Sequence, residues 1–446
     1  MPDSPNINGA KGLLIAAPSS GAGKTTLTLA LLRALKNAGR SVVSAKSGPD
    51  YIDPKFHAAA SGSACINLDA WAMSGTTLRG LAARQAHGRD LLLVEGAMGL
   101  FDGAADGTGS AADLAAALGL PVVLVVDCAR QAQSVAALVH GFAGFRQDVT
   151  LAGVILNRVG STRHEKMLRS ALEPLRVNVL GALPRSDDLI LPERHLGLVQ
   201  AGEHPDLEAF LDRAASLCTR HVDLGRVTEI AGALVPAQNE DLCLPPPPGQ
   251  KIAVARDVAF AFAYPHLLEF WRRQGAGISF FSPLANEVPE PDADVIYLPG
   301  GYPELHAARL SAAGRFRAGM TSAAAAGTLI YGECGGYMAL GDGLVDGDGT
   351  RHQMLGLLPL ETSFKTRKRH LGYRRLEPLG GLPWSGTLTA HEFHYASIVR
   401  EGAADRLFRA GDAEGSGCPD MGLRRNNVMG SFAHVIASAA GRAQSA

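Results

Sequence analysis

The chain has 446 residues, 46% of them apolar and 19% charged, and its 42 Lys and Arg nearly cancel its 43 Asp and Glu. That length exceeds one ordinary core, so two domains of about 200 residues each are expected, and a formal charge of -1 removes any global electrostatic pull toward nucleic acid or an anionic membrane. Six cysteines without C-x-x-C spacing argue against a zinc site or a disulfide framework, and a polar start with no long apolar run makes a soluble, cytoplasmic protein the expectation.

The run Leu13-Leu14-Ile15 reads as a buried strand. It stops at Pro18-Ser19-Ser20-Gly21-Ala22-Gly23-Lys24-Thr25-Thr26, a glycine-rich turn that opens into a helix over Thr25 to Leu35. Backbone N–H groups in such a turn point at phosphate oxygens, with Lys24 as a point charge and the Thr25 hydroxyl available to Mg²⁺. Gly21, Gly23, Lys24, Thr25 and Thr26 are the expected nucleotide cradle, although Pro18 stands where the G-x-x-x-x-G-K-[ST] pattern has its first glycine. A second strand over Ser41 to Ala45 leads to the turn Lys46-Ser47-Gly48-Pro49-Asp50-Tyr51-Ile52-Asp53-Pro54. A third, Leu91 to Val94, ends at Glu95, a carboxylate placed to reach Mg²⁺ beside Thr25. Asp102 follows in Gly99-Leu100-Phe101-Asp102-Gly103. For each aspartate, a turn cap competes with a site role. Val122 to Val126 and Val154 to Leu156 repeat the pattern and end at Asp127 and Asn157; Asn157 is a candidate adenine contact, with a turn asparagine as the alternative. Helical stretches such as Ala111 to Ala117 lie between the strands, so the first domain, residues 1–235, is expected to be a P-loop α/β unit on a parallel sheet.

Near residue 235 the alternation dissolves, and Leu244-Pro245-Pro246-Pro247-Pro248-Gly249 suggests a semi-rigid linker over residues 236–250. A second α/β domain, residues 251–446, is expected from the strand Lys251 to Ala255, a helix around Pro265 to Gln274, and the strands Val295 to Leu298 and Thr328 to Tyr331. The last strand runs into Gly332-Glu333-Cys334-Gly335-Gly336, which fits a nucleophile elbow with cysteine as its nucleophile. A helix N-terminus behind it is expected to lower the thiol pKa. Gly300-Gly301 is a candidate source of oxyanion N–H donors, and His434 is the candidate base. His391-Glu392-Phe393-His394 has its histidines three apart, where a helical zinc motif needs four. For Lys365, Arg367, Lys368 and Arg369, a solvated loop and a docking patch for a polyanion both stay open.

Four segments together resemble the cobyrinic and hydrogenobyrinic acid a,c-diamide synthases: Lys46 to Pro54, Glu95 to Gly103, Gly332 to Met338 and His391 to Tyr395. The resemblance implies a dethiobiotin-synthetase-like ATP domain joined to a class I glutamine amidotransferase-like domain. It implies ATP- and glutamine-dependent amidation of the a and c acetates of a corrin acid in cobalamin biosynthesis, with Mg²⁺ as cofactor. Cys334 and His434 would then release ammonia from glutamine. Asp50, Tyr51, Asp53 and Asp102 would serve the corrin substrate, and Thr25, Asp50 and Glu95 the metal. The partners expected are these small molecules, with no nucleic acid and no membrane, and the assembly a homodimer. One departure is plain: class I amidotransferases carry Glu two residues after the histidine, where this chain has Ile436. The site is left as a Cys-His dyad or as one that borrows a distant acid. The alternatives are amidation of another tetrapyrrole, such as a nickel sirohydrochlorin, and an ATPase switch with an inert second domain.

Overall fold

The computed structural model describes residues 11–186, 189, 193–194, 197–237 and 242–439, which fall into two compact units, Met1–Leu242 and Cys243–Ala446. In the first unit, seven strands form one parallel sheet: β1 (Lys11–Ala16), β2 (Val42–Ser47), β3 (Ile66–Leu68), β4 (Leu91–Glu95), β5 (Val122–Asp127), β6 (Leu151–Val159) and β7 (Val179–Pro184). They lie in the order β3-β2-β4-β1-β5-β6-β7, with the short segment Gly232–Ala233 antiparallel to β1. Nearly every residue of β1, β4 and β5 is buried, as strands covered on both faces require. Each such Leu, Ile or Val contributes about 1.5–3 kcal/mol by leaving water.

Helix α1 (Lys24–Asn37) begins directly after the glycine-rich turn and α2 (Asp53–Ser61) directly after the acidic turn. The order of strands puts β1 between β4 and β5, so the loops that leave β1, β2 and β4 crowd one sheet edge. Open parallel sheets bind their ligands at that edge.

The second unit is built on a ten-stranded sheet. Five strands, Gly277–Phe281, Lys251–Ala255, Val295–Leu298, Leu329–Glu333 and Val428–Ser431, are parallel neighbours in that order. The other half is antiparallel: Gly417–Arg425, Asp405–Gly411, His370–Pro378, Leu388–His394 and Ala433–Ser438. A separate four-stranded sheet packs beside the helix that comes after the thiol. Residues 238–241 of the expected linker lie outside the described residues. The proline run itself is seated on the second unit: the Pro245 carbonyl accepts from Trp271 Nε1 at 3.0 Å, that of Pro246 from Trp384 Nε1 at 2.8 Å, and Leu244 is buried. Proline's free carbonyls make that docking possible where its missing N–H forbids sheet pairing.

Candidate active site

In the first unit, the N-cap of α1 is Gly23 at φ 89, with no side-chain cap on the helix. That leaves the positive end of a 14-residue helix facing the turn. A Cβ at Gly23 would meet Asn157 Nδ2 at 2.3 Å, and the same amide donates to the Ala22 carbonyl at 2.9 Å. Asn157, the candidate adenine contact, buttresses the cradle through this amide. Lys24 is buried and donates from Nζ to the Met98 carbonyl at 2.6 Å; burial lowers its pKa, against the pull of the Glu95 carboxylate.

Pairing register builds the rest. Lys46 on β2 is the direct partner of Glu95 on β4, so two opposite charges meet inside the sheet edge. Lys46 Nζ lies 2.7 Å from Glu95 Oε1 and 2.6 Å from Asp53 Oδ2. Thr25 Oγ1 donates to Glu95 Oε1 at 2.7 Å and reaches Asp53 Oδ2 at 3.4 Å. His57 on α2 closes the far side, with Nε2 2.6 Å from Glu95 Oε2 and Nδ1 3.6 Å from Cys65 Sγ. Both His57 and Glu95 are 0% exposed. Burial alone would favour the neutral forms, but the network reverses it: Lys46 and His57 hold Glu95 below the usual carboxylate range, while Asp53 and Glu95 hold Lys46 above the usual amine range. Burial and the nearby Asp50 charge lift Asp53 to about 6.

Asp50 caps its own turn, Oδ1 accepting from the Ile52 and Asp53 N–H groups at 2.8 and 3.0 Å, and Asp102 accepts from Gly99 N–H at 2.9 Å. The cap reading thus holds for one oxygen of each; Tyr51 is half-buried in the same turn and Asp102 is exposed. Sequence reasoning missed Lys46 and His57 as site residues. A signal for Lys46 was present, a lysine inside the otherwise small and apolar Val-Val-Ser-Ala-Lys-Ser strand; nothing in the local sequence pointed from His57 to Glu95.

In the second unit, Cys334 ends its strand at φ 47, ψ -104, a strained conformation that lifts the side chain out of the turn. A Cβ at Gly336 would lie 1.9 Å from the Leu298 carbonyl oxygen and one at Gly332 2.8 Å from the Gly336 carbonyl carbon, so neither position admits another residue without backbone movement. The helix behind Cys334 spans only Gly335–Leu340. Contrary to expectation, the thiol pKa is pushed up: burial and the Glu304 carboxylate outweigh the lowering by the Gly335 N–H. A Cβ at Gly300 would lie 2.9 Å from His434 Nε2 and 3.3 Å from Cys334 Cβ, which brings the expected nucleophile and base to one spot. A Cβ at Gly335 would lie 2.9 Å from Gly301 N, so the Gly300-Gly301 backbone packs against the elbow. Burial, with His391 and His394 nearby, lowers His434 to about 3.

The His391–His394 segment is a strand, so those histidines face opposite sides while Glu392 and His394 share one. His370, Glu392 and His394 cluster as a metal site would, yet Glu392 is already taken up by Arg374 at 2.6 Å and His394 Nε2 at 3.0 Å. Lys365, Arg367, Lys368 and Arg369 are all exposed.

Residues 13–199 match the family model of the CobQ/CobB/MinD/ParA nucleotide binding domain, and residues 251–441 that of the CobB/CobQ-like glutamine amidotransferase domain. A hydrogenobyrinate a,c-diamide synthase of Brucella anthropi is 63% identical over 96% of this chain and 98% of its own. The chain belongs to the hydrogenobyrinate a,c-diamide synthase family. The proteins of that name in Rhizobium meliloti, 60% identical over 95% of this chain and 99% of theirs, and Rhodobacter capsulatus, 53% over 96% and 99%, extend the match. A solved glutamine amidotransferase is a remote likeness: 17% identical, it covers 41% of this chain and 89% of its own at a TM-score of 0.29. No helix among the described residues is long and apolar enough to cross a membrane.

Proposed function

We propose that this chain converts hydrogenobyrinic acid to its a,c-diamide, activating each acetate with ATP and taking ammonia from glutamine. The observation that carries the reading is the end-to-end match to relatives of that name, on a chain in which both the phosphate cradle and the cysteine elbow are intact. A carboxylate is a poor electrophile because it is anionic and resonance-stabilised. Transfer of the ATP γ-phosphoryl group gives an acyl phosphate, which ammonia attacks with loss of phosphate.

The cradle of Gly21, Gly23, Lys24, Thr25 and Thr26 holds the phosphates, with the Lys24 ammonium set against their charge. The Thr25 hydroxyl and the Glu95, Asp53 and Asp50 carboxylates are hard oxygen donors gathered at one edge, and these fit Mg²⁺, which supplies charge neutralisation at the phosphoryl group. Lys46 cancels part of the carboxylate charge and keeps Glu95 and Asp53 in place before any cation arrives. Asp50, Tyr51, Asp53 and Asp102 are assigned to the corrin acid, and Lys365, Arg367, Lys368 and Arg369 to docking its carboxylates. In the second unit Cys334 attacks the glutamine carboxamide, His434 moves the thiol proton to the departing ammonia, and water releases glutamate. The assembly proposed is a homodimer.

The shared name of the relatives favours the metal-free corrin over a cobalt or nickel tetrapyrrole. Mass spectrometry of products from hydrogenobyrinic acid, cobyrinic acid and nickel sirohydrochlorin, each with ATP, Mg²⁺ and glutamine, tests it: the diamide is expected from the first at the highest kcat/KM. ATP hydrolysis without amidation of any of them would leave the switch reading in its place.

A further inference from the structure

A histidine base works best with an acceptor on its far nitrogen, and the strand that carries His434 continues through Val435, Ile436 and Ala437, all apolar. Glu333, the residue immediately before the thiol, stands on a different strand and is 2% exposed. Its Oε2 lies 3.8 Å from His434 Nδ1. The other ring nitrogen, Nε2, borders the point at Gly300 that Cys334 Cβ also borders. One nitrogen of the ring thus looks to the thiol side and the other to a carboxylate, the order that a nucleophile, base and acid require.

The carboxylate is held for that task. Oε2 accepts from the Tyr297 hydroxyl at 2.7 Å, and Oε1 accepts from the Tyr331 hydroxyl and the Val435 N–H, each at 3.1 Å. Three donors fix its position and leave a lone pair of Oε2 for the imidazole. The 3.8 Å separation is longer than a hydrogen bond, and catalytic contacts commonly tighten only when substrate binds.

We infer that Glu333 orients His434, accepting Nδ1–H so that Nε2 presents its lone pair to Cys334, and thereby completes a triad that the sequence after His434 lacks. The inference rests on the glutaminase role assigned above. As sulfur bonds to the carboxamide carbon, its proton passes to Nε2; as the C–N bond breaks, that proton leaves with ammonia, and Glu333 stays a carboxylate that stabilises the transient imidazolium. Water then replaces sulfur at the acyl carbon and glutamate departs. Glu333 is a positioning residue, since it touches neither glutamine nor the thiol in this scheme.

The test is glutaminase kinetics of the full chain with ATP and hydrogenobyrinic acid present. Glu333→Gln should lower kcat by up to about 10⁴-fold, the drop seen when a triad acid is replaced by its amide. The groups facing His434 are His391, His394 and Glu333. Burial lifts Glu333 to about 7 against the Tyr297 hydroxyl, the Val435 N–H and the Tyr331 hydroxyl; above that pH it is an anion, and replacing it with an amide makes the base harder to protonate, so the acidic limb of kcat/KM should move to lower pH. In a His434→Ala background the same substitution should cost nothing more, because Glu333 acts only through that ring. Losses that multiply in the double variant, or an unmoved acidic limb, would overturn the inference and leave Glu333 a support for the two tyrosines. Should Glu333→Gln not fold, Glu333→Asp decides: keeping the charge, it should stay within about tenfold of the parent chain, and a loss as deep as that of Cys334→Ala would contradict the role. A parent chain that releases no ammonia from glutamine fails the glutaminase reading itself, a result separate from any of these.

Discussion

Both sites sit where parallel strands end, and they handle charge in opposite ways. In the first unit, Lys46, His57, Glu95 and Asp53 are buried together within hydrogen-bonding distance, with Thr25 and Lys24 at the mouth. Opposite charges are paired before substrate arrives, so a phosphoryl group meets dipoles and ions already oriented. In the second, Cys334 and His434 are buried, and burial pushes the thiol up and the imidazole down, toward the neutral form of each. On the proposed reading the thiol loses its proton only to His434, which keeps an idle thiolate from forming. Phosphoryl transfer from a polyanion needs a standing field, whereas amide cleavage by a thiol needs a proton relay, and the same strand-end architecture serves both.

The contrast predicts which activity each change removes. Lys24→Ala should abolish amidation from glutamine and from free ammonia alike, a loss of about 10³-fold or more; unchanged turnover with ammonia would take the cradle out of the chemistry. Cys334→Ala should lose glutamine-dependent amidation to a similar depth but keep turnover with ammonium salts, and simultaneous loss of both would break the division between the units. Lys46→Met leaves Glu95 and Asp53 as buried, under-compensated carboxylates, and should cost about 3–5 kcal/mol in urea unfolding together with most of the amidation from either nitrogen source.

A pH test sharpens the first site further. Burial works against charge on His57, but Cys65 and Glu95 outweigh it and lift the ring from 6.5 to about 10. A raised folded-state pKa contributes stability that is full below about 6.5 and lost as pH rises through 10. The melting temperature should therefore fall between those values, and His57→Gln should flatten that part of the profile; parallel profiles would rule the contribution out. The smallest effect expected is from Trp384→Phe, which removes the bond to the Pro246 carbonyl and should cost about 1 kcal/mol without touching either activity.

What the sequence revealed was what a turn reveals. The cradle, Glu95 at its strand end and the Cys334 elbow all carry local signatures, glycines at fixed offsets after apolar runs, and the structure brings each to a sheet edge. Lys46 and Glu95 are 49 positions apart and meet only because β2 and β4 are neighbours in register, so their pairing had no local signal. The same holds for Glu333 and His434, which lie far apart in the chain and are joined across the sheet. The antiparallel strands from His370 to Ser438 were not foreseen in detail. Their alternation is blurred by glycines and by charged residues such as Arg374 and Glu392 that pair with one another. The proline run reads as a spacer because its composition forbids sheet pairing, while Trp271 and Trp384, which bind its carbonyls, lie 26 and 138 positions further along the chain.

The most direct test of the division between the two units is the product formed by Cys334→Ala from hydrogenobyrinic acid, ATP and Mg²⁺, measured by mass spectrometry with glutamine alone and with ammonium alone as nitrogen source. The a,c-diamide is expected with ammonium at a rate near that of the parent chain, and none with glutamine. Diamide formed equally from both sources, or from neither, would contradict it.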